Sequence, residues 1–249
     1  MKSITIYRPL KSNILTQGFG DSKACIAVDQ NNSALFPTKI MTKTNNTCPI
    51  GYVDFYNYIG MDGHNGLDWA CWFREPFYFP IIADTEWYSK DASDSSGGLG
   101  TDIFSKDPIF LPALPPQAGK QAYKLWEKQG KKIRVKYRVW HSDEVWVDKD
   151  VKVGELFAYG DSTGASSGNH GHLGLKFVDE NDNTLDKDNG YNGAVDFSMY
   201  YENRFILDVL KEQSIIKDIK KTQMSLIDVL NKYIFLLRTS IRSLLANKK

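Results

Sequence analysis

Over most of the first 200 residues, short apolar runs alternate with polar positions and are bounded by Gly, Asn, Asp and Ser. That is the period of strands and turns. SITIYRPL and ILTQGFG read as short strands, and the segment from Ser22 to Gly51 reads as mostly loop, with turn signals at Asn31-Asn32 and Asn45-Asn46. A loop bracketed by Gly60, Gly63 and Gly66 leads into a strand GLDWACWF, followed by a strand FYFPIIAD. Residues 87–104 read as a hairpin whose turn, ASDSSGGLG, holds three glycines that permit positive φ. From Lys132 to His141, Ile133, Val135, Tyr137 and Val139 form one face of a strand, and His141 falls on that same odd-numbered face. A further strand spans Gly171 to Phe177.

Two stretches depart from this period. Residues 105–132 look like an insertion, with LPALPP followed by a helix from about Gly119 to Gln129 that sets Ala122, Leu125 and Trp126 on one face. The insertion either shapes substrate choice beside a cleft or embellishes the surface. From Ser198 the pattern becomes helical. In the second half of this tail, Ile227, Leu230, Ile234, Leu237, Ile241 and Leu244 recur at three- and four-residue steps. Ile at a and Leu at d favours a parallel two-stranded coiled coil, whereas Leu226, Val229, Tyr233 and Leu236 broaden the face as a packed helical hairpin would. The expected organisation is a β-rich domain over 1–197 and a helical segment over 198–249. Residues 203–246 would serve self-association or docking into a larger assembly, or pack on themselves.

Composition adds limits. Hydrophobic residues at 42% and charged residues at 24% suit a globular core, and a net charge of +1 gives no sign of nucleic acid binding. The charge is uneven: residues 203–249 hold ten Lys/Arg against four Asp/Glu, which leaves −5 on residues 1–202. No apolar run reaches the eighteen residues of a transmembrane helix, and the first twenty residues lack the apolar core of a signal peptide. The three cysteines leave two readings open: a Cys25–Cys48 disulfide with Cys71 free, or three buried thiols.

The chemistry concentrates on four histidines. His170 and His172 flank one glycine at the start of a strand, so both rings point to one face. Two imidazoles side by side suit a metal or an acid/base site. His64 stands four residues before Asp68, and His141 closes the run VKYRVWH. One histidine is readily explained by packing; an HxH, an HxxxD and a strand-end histidine together are much less so. Neither HExxH nor GxSxG occurs. Ser162, Ser166 and Ser167 lie near His170, but serine is common in Gly-rich turns.

The ordered set His64-Asn65-Gly66-Leu67-Asp68, His141, His170-Gly171-His172 resembles the lysostaphin-type zinc metalloendopeptidases, which hydrolyse peptidoglycan. ILTQGFG, FPIIA and VKVGELFAYGDSTGASSG extend the resemblance over about residues 14–178. Asp84-Thr85 stands where the family usually has an Asp-Gly turn, a departure that touches no ligand. The resemblance implies a mainly β fold with an antiparallel lysostaphin-type core and a C-terminal helical appendage. It implies one Zn2+ held by His64, Asp68 and His172, with His141 and His170 as catalytic residues that do not bind metal. Such a zinc ion lowers the pKa of water from about 15.7 towards about 7, a shift worth about 12 kcal/mol. The expected substrate is a cross-link or stem peptide of the bacterial wall, reached within a phage particle, at lysis, or by a non-classical route. The rival expectation is an inactive relative that docks through its C-terminal helices.

Overall fold

The computed structural model describes residues 3–31, 33–34 and 40–246, with side chains beyond residue 221 described only in part. The chain opens with β1 (Thr5–Arg8) and β2 (Leu15–Gln17). β3 (Ala24–Ala27), β4 (Met41–Thr42) and β5 (Tyr52–Asp54) form a small antiparallel sheet. A one-turn helix, α1 (Phe55–Tyr58), follows; Asp54 caps it by accepting the Asn57 amide at 3.0 Å. Cys25 and Cys48 are disulfide-bonded and Cys71 is free, which decides between the two readings of the odd count.

β6 (Leu67–Ala70) ends sooner than GLDWACWF suggests, and Trp72 and Phe73 beyond it are exposed. The run FYFPIIAD is two strands, β7 (Pro76–Tyr78) and β8 (Ile81–Ile82). Pro80 separates them, and they join different sheets: β7 pairs with a later strand, β8 with β1. A proline without an N–H marks the place where a strand can leave a ladder. β9 (Trp87–Asp91) and β10 (Leu99–Ser105) form the expected hairpin. The insertion contributes β11 (Ile109–Phe110) and α2 (Lys120–Lys128), whose Ala122 and Trp126 enter the core. The long strand β12 (Lys132–Val145) follows, then β13 (Asp150–Val151), β14 (Leu156–Gly160), β15 (His170–Val178) and β16 (Ala194–Val195).

These strands build a mainly β, antiparallel architecture. The principal sheet runs β13-β9-β10-β12-β15-β6-β2. Alternation along its central pair sends Val135, Tyr137 and Val139 of β12, and Leu173, Leu175 and Phe177 of β15, into the core. There they meet the fully buried rings of Phe77, Phe79 and Phe157. Each such burial contributes about 2 kcal/mol relative to exposure, so the opposite face of the pair can carry polar groups.

The reading of helix from Ser198 is corrected. Residues 198–200 are a single 3-10 turn, and β17 (Tyr201–Phe205) pairs in parallel with β1. The free edge of β1 and the packing of the Tyr201 ring near Trp69 and Phe197 outweigh the local helical period. α3 (Ile206–Ala246) is then one helix of 41 residues with no hairpin turn. Residues 1–206 and 207–249 are two compact units. On α3, Ile227, Leu230 and Ile234 are exposed. The Leu237, Ile241 and Leu244 side chains of the same heptad run, and those of Leu226, Val229, Tyr233 and Leu236, lie outside the described residues. Among the described residues, no helix is long and apolar enough to cross a membrane.

Candidate metal centre and active site

Register brings two of the motifs together. β6 and β15 are antiparallel neighbours, with Asp68 directly opposite His172 and Ala70 opposite His170. Facing residues of a ladder share a side, so the carboxylate and the imidazole meet without any loop to position them. His64 arrives from the glycine-bounded loop. Its backbone amide donates to the Asp21 carbonyl at 2.9 Å, and its own carbonyl accepts from Gly20 at 2.8 Å. This close passage needs small residues: a Cβ at Gly66 would lie 2.4 Å from the Leu173 carbonyl oxygen and 2.7 Å from His172 Cε1. Gly171, between the two histidines, makes room for the Phe77 ring, whose Cζ would stand 2.7 Å from a Cβ there.

Three ligand atoms converge. His64 Nε2 lies 3.0 Å from Asp68 Oδ1 and 2.9 Å from His172 Nδ1, and His172 Nδ1 lies 3.0 Å from Asp68 Oδ1. All three residues are buried. His64 Nδ1 donates to the Gly18 carbonyl at 3.0 Å, which leaves the Nε2 lone pair facing inwards. The near-equilateral triangle fits zinc: ligands at about 2.0–2.1 Å in a tetrahedron stand about 3.3 Å apart, and three protein ligands leave a fourth position open.

Electrostatics in the cluster are strongly coupled. Burial alone would raise the Asp68 pKa, but the adjacent His64 and His170 rings outweigh it and hold the carboxyl well below its usual range. Burial would lower His64, yet the Asp68 carboxylate beside it carries its pKa above the ordinary value. For His172 burial prevails over the same carboxylate and pushes the pKa down to about 4.

The other two histidines adjoin this cluster. His141 and His170 have ring centroids 4.4 Å apart, and His170 Nε2 lies 3.5 Å from Asp68 Oδ2. His141 Nδ1 donates to the Thr163 carbonyl at 2.6 Å and His170 Nδ1 to the Gly168 carbonyl at 2.8 Å. Each ring is thereby held in place at Nδ1, with Nε2 on its opposite side. Burial, with the neighbouring His170, pushes His141 down to about 3, so its ring is neutral. The way His141 reaches the site corrects the expectation of strict alternation. Had the period continued, His141 would share the core face with Tyr137 and Val139. Instead its φ is +62°, and the β10 and β14 registers both shift around this point. This bulge turns the ring to the side of His172.

Ser166 Oγ lies 3.2 Å from His170 Nδ1, but it donates to the Gly168 carbonyl at 2.8 Å, so its proton is not directed at a base.

All five residues line one cleft of about 480 Å³. One wall comes from the small sheet and α1, through Ala24, Phe55, Tyr56 and Ile59; the other comes from Ser96, Gly97 and the loop Ala165–Ser167. Gln17, Gly60, Trp140, Lys187 and Asn192 are also among the lining residues. Sequence reasoning missed Tyr56, whose hydroxyl accepts from Gln17 Nε2 at 2.6 Å and whose ring stands 6.1 Å from that of His64. The available signal was Asp54 as an N-cap before FYNY.

No family model and no curated protein matches the sequence. Solved structures do match. One is a zinc-containing peptidase from Vibrio cholerae: 16% identity, 78% of this chain, 39% of that chain, TM-score 0.39. A second is the catalytic domain of the antimicrobial peptidase lysostaphin from Staphylococcus simulans: 16% identity, 54% of this chain, 76% of that chain, TM-score 0.33. A third is the catalytic domain of the prophage-encoded M23 protein EnpA from Enterococcus faecalis: 17% identity, 59% of this chain, 83% of that chain, TM-score 0.32. The chain spans well under half the length of the Vibrio cholerae peptidase. By the order of its histidine motifs and the cluster that those motifs form, the chain resembles the lysostaphin-type zinc metalloendopeptidases.

Proposed function

We propose that this chain is a zinc-dependent endopeptidase that cuts peptide bonds in the cross-links or stem peptides of bacterial peptidoglycan. The observation that carries this reading is the convergence of His64, Asp68 and His172, with His141 and His170 beside them in the same cleft. His64, Asp68 and His172 would hold the metal. Bound there, zinc would supply Lewis acidity, making water a nucleophile near neutral pH and polarising the scissile carbonyl.

The chain's own groups do the rest. The Gly18 carbonyl orients His64, and the ladder orients Asp68 and His172. His141 and His170, each tied at Nδ1 to a backbone carbonyl, present Nε2 to take a proton from water and return one to the leaving amine. Trp140 and Tyr56 line a slot with open space beside Gly60, room for an extended peptide with small side chains.

The wall substrate follows from the family that the motifs resemble. The setting is a phage lytic factor, carried on a particle or released at lysis, or a wall-remodelling enzyme. The α3 helix would attach the domain to a second copy or a larger assembly.

Digestion of purified peptidoglycan, with fragments read by mass spectrometry, tests the reading. New amino termini should appear, vanish with a chelator and return with zinc. His141→Ala and His170→Ala should lower the rate by about 10²–10⁴-fold with zinc still bound at one per chain. His172→Ala should lose the zinc itself. Zinc bound with no wall cut from any bacterium would sink the hydrolytic reading in favour of a docking role.

A further inference from the structure

The sheet face that bears His172 also bears a surplus of positive charge. Across β12 and β15, Lys136 stands opposite Lys176, Arg138 opposite Gly174, and Trp140 opposite His172. Alternation therefore puts Lys136, Arg138 and Lys176 on the same side as the candidate metal ligand. Among the described residues, one carboxylate pairs with two of these three cations. Asp102, opposite Arg138 on β10, accepts the Arg138 fork at 2.6 Å through each oxygen and Lys136 Nζ at 3.2 Å. Lys176 forms no ion pair among the described residues; its Nζ donates to the Asn192 carbonyl at 2.7 Å.

Lys136 and Lys176 are both buried, and facing like charges in a ladder are unfavourable. Burial, then the neighbouring cations, depresses Lys176 to about 7; burial also lowers Lys136, against the pull of Asp102. Lys187 adds to the same positive field. It is exposed, lines the cleft together with Asn192, and forms no ion pair among the described residues.

The loop that presents Lys187 is held by the insertion. Asp186 accepts the Gln121 and Ala122 amides at the start of α2, each at 2.9 Å, and Asn189 Nδ2 donates to the Gln117 carbonyl at 3.0 Å. The insertion therefore aims a cation at the cleft.

We propose that this end of the cleft binds a free carboxylate on the peptide substrate, with Lys187 in direct contact and the Arg138–Lys136–Lys176 group behind it. The proposal deepens the endopeptidase reading and rests on it for the identity of the ligand as a peptide. A substrate carboxylate would supply the negative charge that Asp102 alone does not.

The test uses the full zinc-loaded chain and soluble stem peptides from peptidoglycan, as isolated and after carbodiimide amidation of their carboxyl groups. Binding is read by calorimetry, cleavage separately by mass spectrometry. The unmodified peptides should bind about tenfold more tightly than the amidated ones. That ratio should fall towards one in Lys187→Gln and persist in Lys187→Arg. It should also persist in Lys124→Gln, on the exposed face of α2. Equal binding of the two preparations, or a preference unchanged in Lys187→Gln, overturns the carboxylate site. A Lys187-dependent binding preference with neither preparation cleaved upholds the site and overturns the hydrolytic reading instead.

Discussion

Lys176 is a buried lysine whose one hydrogen-bond partner among the described residues is the Asn192 backbone carbonyl. Its pKa is depressed to about 7, against an ordinary value of 10.5. Between those values the unfolded chain binds more protons than the folded one, so stability rises with pH through this window; below about 7 the cost of the buried charge is fully present. Lys176→Met, which keeps the apolar stem and removes the charge, should therefore abolish a rise of about 3 kcal/mol between pH 7 and 9.5. Urea unfolding of metal-free protein at the two pH values measures it. An equal rise in both proteins would show that Lys176 does not carry the cost. Lys176 was not legible as a cleft residue. In the sequence it is one lysine in an apolar run, and its meaning comes from standing opposite Lys136. The candidate group His64, Asp68 and His172 stood out in the sequence through the HxxxD and HxH motifs, while the β6–β15 register that brings Asp68 against His172 did not.

At the scale of elements, legibility ended where a tertiary partner overrode a local period. Alternation described β12 up to Trp140 and failed at the next residue, where a left-handed φ turns His141 into the cleft. Helical periodicity described α3 but began eight residues too early, because Ser198–Tyr200 form a 3-10 turn and the edge of β1 was available to Tyr201–Phe205. The insertion is the more instructive case. Its helix was visible as a pattern, while its bearing on the site was not, since the link is a carboxylate from a distant loop. Asp186 satisfies two amides that α2 leaves open at its N-terminus. Asp186→Ala should cost about 1–2 kcal/mol of stability. If that contact also positions Lys187, the variant should lower the preference for free over amidated peptides, whereas a merely structural role would weaken both alike. The ratio of the two affinities at a temperature well below unfolding decides between them.

For the whole molecule, the open matter is how a 41-residue helix satisfies its apolar side chains. Ile216, Ile219, Ile227, Leu230 and Ile234 are exposed, and isolated helices draw most of their stability from an apolar face that something covers. Light scattering on the full chain should give a mass above that of one 28.3 kDa protomer, and a chain ending at residue 206 should be monomeric and keep the cleft intact. A monomeric full chain would remove self-association from the proposal. Zinc content and wall cleavage should be unchanged by the truncation, since all the cleft-lining residues precede residue 206.

The Cys25–Cys48 cross-link lies in the segment that supplies one wall of the cleft, between β3 and the strand that leads into α1. Such bonds persist in oxidising surroundings and are rare in reducing ones. In reducing surroundings the protein would therefore have that wall unpinned, and in oxidising ones pinned. If the proposed hydrolytic activity needs that wall fixed, it would switch on only in oxidising surroundings, which would act as a redox safeguard. A Cys25→Ser, Cys48→Ser double variant with full zinc content and wild-type cleavage would show instead that the safeguard lies elsewhere.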